Sequence, residues 1–382
     1  MSSQELTPDS FEQAAASLAR AVAAGRSVHP RGGGTKDEWG ASVSAPDVVL
    51  RTSGLDRVLE HNAGDLTAVL EAGVRLETAQ QQFARAGQML ALDPPLGRGG
   101  RRDATIGGVL ATGDSGPLRH RYGAPRDLIV GITVALGDGT IARAGGKVIK
   151  NVAGYDLAKL FTGSFGTLGV ILSASVRLHP RPEAAATAVG SAARPETLAT
   201  AAITLASAPL ELDCLDVAWS DGRGSLLARS SGAEPAERSQ RAAALMRTAG
   251  LHPVEVEHED DELWERQRAG QRSADAALVR IAARPSELVQ VIAACEAVAG
   301  RLVGRATLGS SFVELDPGAL TRLRAALPDG AVAVVLDAPT ALRGELDPWG
   351  SGEGTALELM RRIKARFDPA NACNPGVFVG GI

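Results

Sequence analysis

Aromatic residues are scarce in this 382-residue chain, only 3% of it, and cysteine is scarcer still, with three. Cys214, Cys295 and Cys373 are far apart, odd in number and form no C-x-x-C pair, which excludes a disulfide framework and a cysteine-held zinc or iron–sulfur cluster. Neither sign of charge dominates. The formal net charge is −4, so nothing draws the chain to nucleic acid or to an anionic membrane. No apolar run reaches the ~18 residues that span a bilayer. The polar opening MSSQELTPDS is unlike a secretory leader, so a cytoplasmic protein without a transmembrane segment is expected. Also missing are G-x-G-x-x-G and G-x-x-x-x-G-K-[ST]. Gly145-Gly146-Lys147 is only a fragment of the latter, and Rossmann and P-loop nucleotide sites are unsupported.

Glycine, by contrast, is plentiful, and it is gathered with small hydroxyl residues where strands end: Pro30-Arg31-Gly32-Gly33-Gly34-Thr35, then ATIGGVLATGDSG over 104–116, then Gly163-Ser164-Phe165-Gly166-Thr167-Leu168-Gly169-Val170. Without a Cβ, glycine lets main-chain N–H groups approach the oxygens of a diphosphate, so a dinucleotide is the natural ligand. The ordinary alternative is that each stretch is a plain turn; three in one chain weigh against it.

These three motifs, in this order, resemble the FAD-binding family typified by vanillyl-alcohol oxidase and p-cresol methylhydroxylase (PCMH). The resemblance implies an α+β fold: a PCMH-type FAD-binding domain of two α+β subdomains plus a smaller antiparallel α+β cap. It covers nearly the whole FAD domain and a closing Phe367-Asp368-Pro369 … Asn374-Pro375-Gly376 motif, and is weak in the middle. Lys150-Asn151-Val152-Ala153-Gly154-Tyr155-Asp156-Leu157, with Gly87-Gln88-Met89-Leu90 and Asp93-Pro94-Pro95, narrows it to the branch holding glycolate oxidase and D-2-hydroxy-acid dehydrogenases, and there to the FAD-binding E-subunit type.

Along the chain, Ser10 and Gln13 offer a capping box for a helix over 11–24. Strands are expected near 28, 47–51 and 66–72, helices over 76–86 and 155–162, a hairpin of 129–136 with 140–144 around Gly137-Asp138-Gly139, and a strand over 168–178. His179-Pro180-Arg181-Pro182 reads as a boundary. Strands are expected beyond it over 211–219, 224–229, 276–283, 301–308 and 331–336, and helices over 235–248, 286–299, 317–326 and 355–367. The expected division is an FAD domain over 1–180, a cap over 181–354, and a helix and tail over 355–382 that return to the flavin.

The expected cofactor set follows the loops: Pro30, Arg31, Gly32, Gly33, Gly34 and Thr35; Pro95; Thr105, Gly107, Gly108, Thr112, Ser115 and Gly116; Tyr122; Gly166, Gly169 and Val170; Asn374. Members of the resembled family with covalent FAD often carry a His after the glycine run. Thr35 stands there, so noncovalent FAD is expected. Three residues are candidates for the chemistry. Lys150 near the ring would favour the reduced, anionic flavin. His120, between Arg119 and Arg121, is a candidate base. Arg268, in Leu263-Trp264-Glu265-Arg266-Gln267-Arg268, is the candidate fork for a substrate carboxylate. Each has a bland alternative: a solvated lysine, an exposed histidine, a surface ion pair. The family's metal-using members carry paired histidines. Here none of the six histidines lies beyond His258, and His252 and His258 beside Glu255, Glu257 and Glu259 read as a solvated face, so no metal is expected.

The resemblance implies oxidation of glycolate or a similar 2-hydroxy acid, with electrons leaving to a larger flavoprotein subunit and an iron–sulfur subunit. The missing histidines raise a rival: a subunit that holds FAD and leaves the chemistry to its partner. A stand-alone dehydrogenase is a third reading.

Overall fold

The computed structural model describes residues 3–146, 157–350 and 355–382. By contacts the chain forms two units. The first comprises Met1–Ser115, Gly123–Arg181 and Ser351–Ile382; the second comprises Gly116–Tyr122 and Pro182–Gly350. The short insert Gly116–Tyr122, counted with the FAD part on sequence grounds, thus belongs with the second unit.

In the first unit, Phe11–Ala23 is helical because Ala14, Ala15, Leu18 and Ala21 recur on one face and Ser10 caps the start, its hydroxyl accepting from the Gln13 amide. Gln13 returns its side chain to the Asp9 amide, one residue before the expected partner. The helix packs on a parallel sheet of Gln4–Leu6, Val48–Arg51 and Val28–Arg31, with Val48–Arg51 in the centre. Leu18, Val28, Val48 and Leu50 are fully buried there beside Val170 and Leu172 of a second sheet. Each such side chain contributes about 1.5–3 kcal/mol by burial.

That second sheet is antiparallel, in the order Val58–Asn62, Thr67–Glu71, Val170–Arg177, Ile129–Ala135, Ile141–Gly145. The last two strands are the expected hairpin. Its turn is held by Asp138, whose carboxylate accepts from the Thr140 amide.

The second unit is one eight-stranded antiparallel sheet, ordered Val254–Glu257, Ala185–Ala192, Arg223–Ser231, Cys214–Ser220, Arg301–Arg305, Ser310–Leu315, Ala277–Ala282, Val332–Asp337. Alternation divides its faces. Leu215, Val217, Leu226, Ala228, Val279 and Ile281 join a core with the helices Pro195–Ser207, Pro235–Thr248, Leu288–Glu296 and Leu320–Ala326. The opposite face carries Cys214, Asp216, Leu227 and Arg305. Trp264 of the helix Asp261–Ala269 packs there with Leu118 of the insert.

The helices Pro195–Ser207 and Asp261–Ala269 and the strands Gln4–Leu6 and Val58–Asn62 are absent from the sequence expectations, and three further elements escape the pattern for a visible reason. Ala185–Ala192 (AATAVGSA) has one β-branched aliphatic residue and one Thr, yet forms a strand because it is paired on both sides, by Arg223–Ser231 and Val254–Glu257. The helix Ile106–Thr112 contains two glycines and is held by its Thr105 cap and by buried Ile106, Val109 and Leu110. Ser310–Leu315 hides between the strands at 277–282 and 301–305.

Candidate flavin site and cap residues

The strand Val28–Arg31 delivers the first glycine loop, and the other two loops are packed against it. A Cβ on Gly32 would lie 2.2 Å from Thr105 Oγ1, and one on Gly33 only 1.7 Å from the Asp103 carbonyl. Gly33 O in turn accepts from Arg101 Nη2 at 2.9 Å. Gly34 has φ +68°, a left-handed conformation that favours glycine. The third loop hangs on the helix Ile106–Thr112: the Gly163 amide donates to Leu110 O and the Phe165 amide to Ala111 O. Gly166 lies against the Pro30 ring, its Cβ position 3.3 Å from Cγ.

The tail closes the assembly. The Val28 amide donates to Ala372 O, and the Asn374 amide to Val28 O. Asn374 spans two loops, its Nδ2 donating to Phe165 O and its Oδ1 meeting His29 Nδ1, both at 2.7 Å. Lys364 is buried and donates to Asp368 at 2.7 Å, Thr167 O at 2.8 Å and Cys373 O at 2.9 Å. One ammonium therefore ties helix, third loop and tail together. Lys36 and Asp114, both buried, pair at 3.2 Å between the first loop and the turn after the helix.

The amides are unequal. Gly107 N donates to Ala72 O, and Gly108 N faces Thr105 Oγ1. The Thr112 hydroxyl donates to Gly108 O. The amides of Gly32, Gly33 and Gly34 have no acceptor among the described residues. Space is unequal too. Gly32, Gly33 and Gly107 are walled in by protein atoms, whereas a Cβ on Gly108 would meet only Thr105 Oγ1 at 3.2 Å, and one on Gly163 would meet nothing within 4 Å. Unclaimed amides beside uncovered glycine surface are what a diphosphate needs, and the residues present fit FAD.

The remaining expected cofactor residues are spread. Arg31 pairs with Asp37 at 2.6 Å. Thr35 lies in the loop, Pro95 is buried, and Ser115 is buried at the end of the first unit's segment. Gly169 and Val170 lead the central strand: a Cβ on Gly169 would sit 2.5 Å from Ala135 O, and Val170 is a core side chain. Gly116 and Tyr122 count with the second unit, where Gly116 O accepts from Arg305 Nε at 3.1 Å. Lys150 and the string 150–156 lie outside the described residues.

Two protonation biases stand out. His29 is opposed by its burial, but its hydrogen bonds to Asp37 and Asn374 outweigh this and raise its pKa. Burial lowers that of His120 against the pull of Asp213, and its Nδ1 has no hydrogen-bond partner among the described residues. A neutral imidazole with a bare nitrogen is the state a base requires. Arg268 is engaged by Glu265 on its own helix, at 2.9 Å. The buried members of that string are Trp264 and Gln267, and a fully buried arginine of this unit is Arg305, salt-bridged to Asp216 at 2.7 Å. A sequence pattern of W-x-x-x-R does not reveal which side chain points inward. Among the described residues no group of three His, Cys, Asp or Glu side chains is placed to hold a metal.

Residues 3–145 match the FAD binding domain family, and residues 351–378 match the C-terminal domain of FAD linked oxidases. Residues 3–145 thus form an FAD-binding domain within a fold of the PCMH type, and the chain is similar to FAD-linked oxidoreductases. Within this class it is similar to glycolate oxidase subunit GlcD of Bacillus subtilis, 28% identical over 91% of this chain and 83% of that one. It is also 40% identical to glycolate oxidase subunit GlcE of Escherichia coli, over 33% of this chain and 35% of the relative. In fold it is similar to an alkyldihydroxyacetonephosphate synthase (TM-score 0.69, 16% identity, 97% of this chain and 76% of that one). No described helix is long and apolar enough to cross a membrane.

Proposed function

We propose that this chain is the FAD-binding subunit, of the E type, of a glycolate oxidase, oxidising glycolate or a similar small 2-hydroxy acid to the 2-oxo acid and passing electrons to partner chains. The observation that carries the reading is likeness to two glycolate oxidase subunits, one nearly end to end and one strongest over a third of the chain. Bound FAD supplies a hydride acceptor at its N5. The chain's residues do the rest. The amides of Gly32–Gly34 and the open face of Gly108 take the diphosphate, without a covalent tether at Thr35. Neutral His120 is assigned the hydroxyl proton, and Lys150 the stabilisation of the reduced ring. The partners in this reading are a larger flavoprotein subunit and an iron–sulfur subunit, in the cytoplasm.

A second reading, that this chain holds FAD without touching substrate, is favoured by the engagement of Arg268 with Glu265. Anaerobic addition of glycolate, and separately of D-lactate, to the purified yellow protein separates the two. Loss of the oxidised flavin bands supports the enzyme; FAD that stays oxidised until a partner chain is added supports the holder.

A further inference from the structure

One side chain from outside the glycine motifs reaches the first of them. Arg101, in the largely exposed loop over 96–103, donates from Nη2 to Gly33 O at 2.9 Å. Its guanidinium is anchored. Nε faces Asp103 Oδ2 at 3.2 Å, and Asp103 Oδ1 in turn pairs with Arg75 Nη2 at 3.2 Å. The loop behind it is closed at its base, where the Ala104 amide donates to Leu96 O and Ala104 O accepts from the Leu76 amide, both at 2.9 Å. Arg98 pairs with Glu38, just past the first glycine loop, at 3.1 Å. The loop over 96–103 is therefore fastened both to the helix Leu76–Ala84 and to the segment that follows the glycines.

Gly33 O and Gly34 N–H belong to one trans peptide, so they point to opposite sides of the chain. Between two glycines such a plane turns over at little cost, because neither residue has a Cβ to forbid the flipped dihedrals. In one orientation the plane offers a donor to its open side. In the other it offers a carbonyl oxygen, which repels a diphosphate. Arg101 binds the carbonyl on the side where Gly33 is already packed against Asp103, and so selects the first orientation. The donor left on the other side, Gly34 N–H, has no acceptor among the described residues.

We propose that Arg101 is a positioning residue for the cofactor: by binding Gly33 O it holds the Gly33–Gly34 peptide with the Gly34 N–H turned toward the FAD diphosphate. This rests on the assignment of the Gly32–Gly34 amides to that diphosphate.

The test is the rate of FAD release from the full-length holoprotein, followed by the flavin fluorescence that appears on dilution, at low and at high salt. Arg101→Met is expected to release FAD about tenfold faster than the parent, the worth of one hydrogen bond from a charged donor, and Arg101→Lys, which keeps a donor, to fall between them. Both variants are expected to melt within a few degrees of the parent in saturating FAD, since the Arg101 side chain is 53% exposed. The ratio of rates is expected to hold at high salt, because a short bond to a neutral carbonyl is not a long-range attraction between charges. Release unchanged in Arg101→Met, or a lysine variant no better than the methionine one, overturns the proposal. So does a ratio that collapses in high salt, which makes Arg101 a screened charge acting on the diphosphate itself, and so does a melting temperature that falls far, which makes it a prop of the fold. In each of these cases a parent that holds FAD leaves the loop assignment standing; a parent that takes up no FAD removes both.

Discussion

Gly108 separates a structural glycine from a ligand-contacting one. Its neighbours Gly32, Gly33 and Gly107 are walled in, so substituting them disturbs the fold and FAD binding together. A Cβ on Gly108 crowds only Thr105 Oγ1, at 3.2 Å, which a shift of a few tenths of an ångström relieves, so Gly108→Ala is expected to melt within a few degrees of the parent while losing most of its bound flavin, read from the ratio of visible to ultraviolet absorbance. Full flavin occupancy in that variant would remove the second loop from the site. His120 gives a prediction in pH. Its folded pKa is depressed by burial, so below about pH 6.5 the unfolded chain binds a proton that the folded chain resists, and this residue's contribution to stability falls as the solution is acidified. His29, raised by Asp37 and Asn374, acts oppositely: it favours the fold at acid pH, and that contribution is lost as pH rises through its elevated pKa. His120→Gln should therefore gain melting temperature on the parent from about pH 7.5 down to pH 5.5, and a gap constant with pH would contradict the assignment.

At the scale of elements, the C-terminal helix is attached to the flavin loops by Lys364, which meets Asp368, Thr167 O and Cys373 O. Lys364→Met leaves Asp368 buried with only its amide partners. It is expected to lower stability by about 3–5 kcal/mol in urea unfolding, and to speed FAD release, because the third loop and Asn374 lose their common anchor. A variant as stable as the parent would show the pair to be dispensable. Elements with their own periodicity were readable in the sequence: Phe11–Ala23, Pro235–Thr248 and Thr355–Phe367 are all in place, as is the hairpin at Gly137–Gly139. Ala185–Ala192 was not, since its strand character comes from neighbours on both sides rather than from its own residues. The glycine loops were legible as motifs. The tethers behind them, Lys36 to Asp114 and Lys364 to Asp368, were not, because nothing in spacing reports which charges become buried. The i,i+4 spacing of Lys364 and Asp368 was the one available signal.

For the whole molecule, the account rests on a division of labour: one unit built from both ends of the chain to hold FAD, and a second whose sheet face presents buried polar groups. The insert Gly116–Tyr122 belongs to the second unit though it lies within the first unit's stretch of sequence, and Arg121 fastens it there through Asp213 at 3.0 Å. The central claim is that scattered backbone amides hold an untethered FAD. The most direct measurement is the visible spectrum of the purified chain, followed by acid precipitation and a flavin assay of pellet and supernatant. The account predicts a yellow protein carrying one FAD per chain, all of it released to the supernatant as intact FAD. A colourless chain that takes up no FAD from excess, or flavin that remains with the pellet, would contradict it.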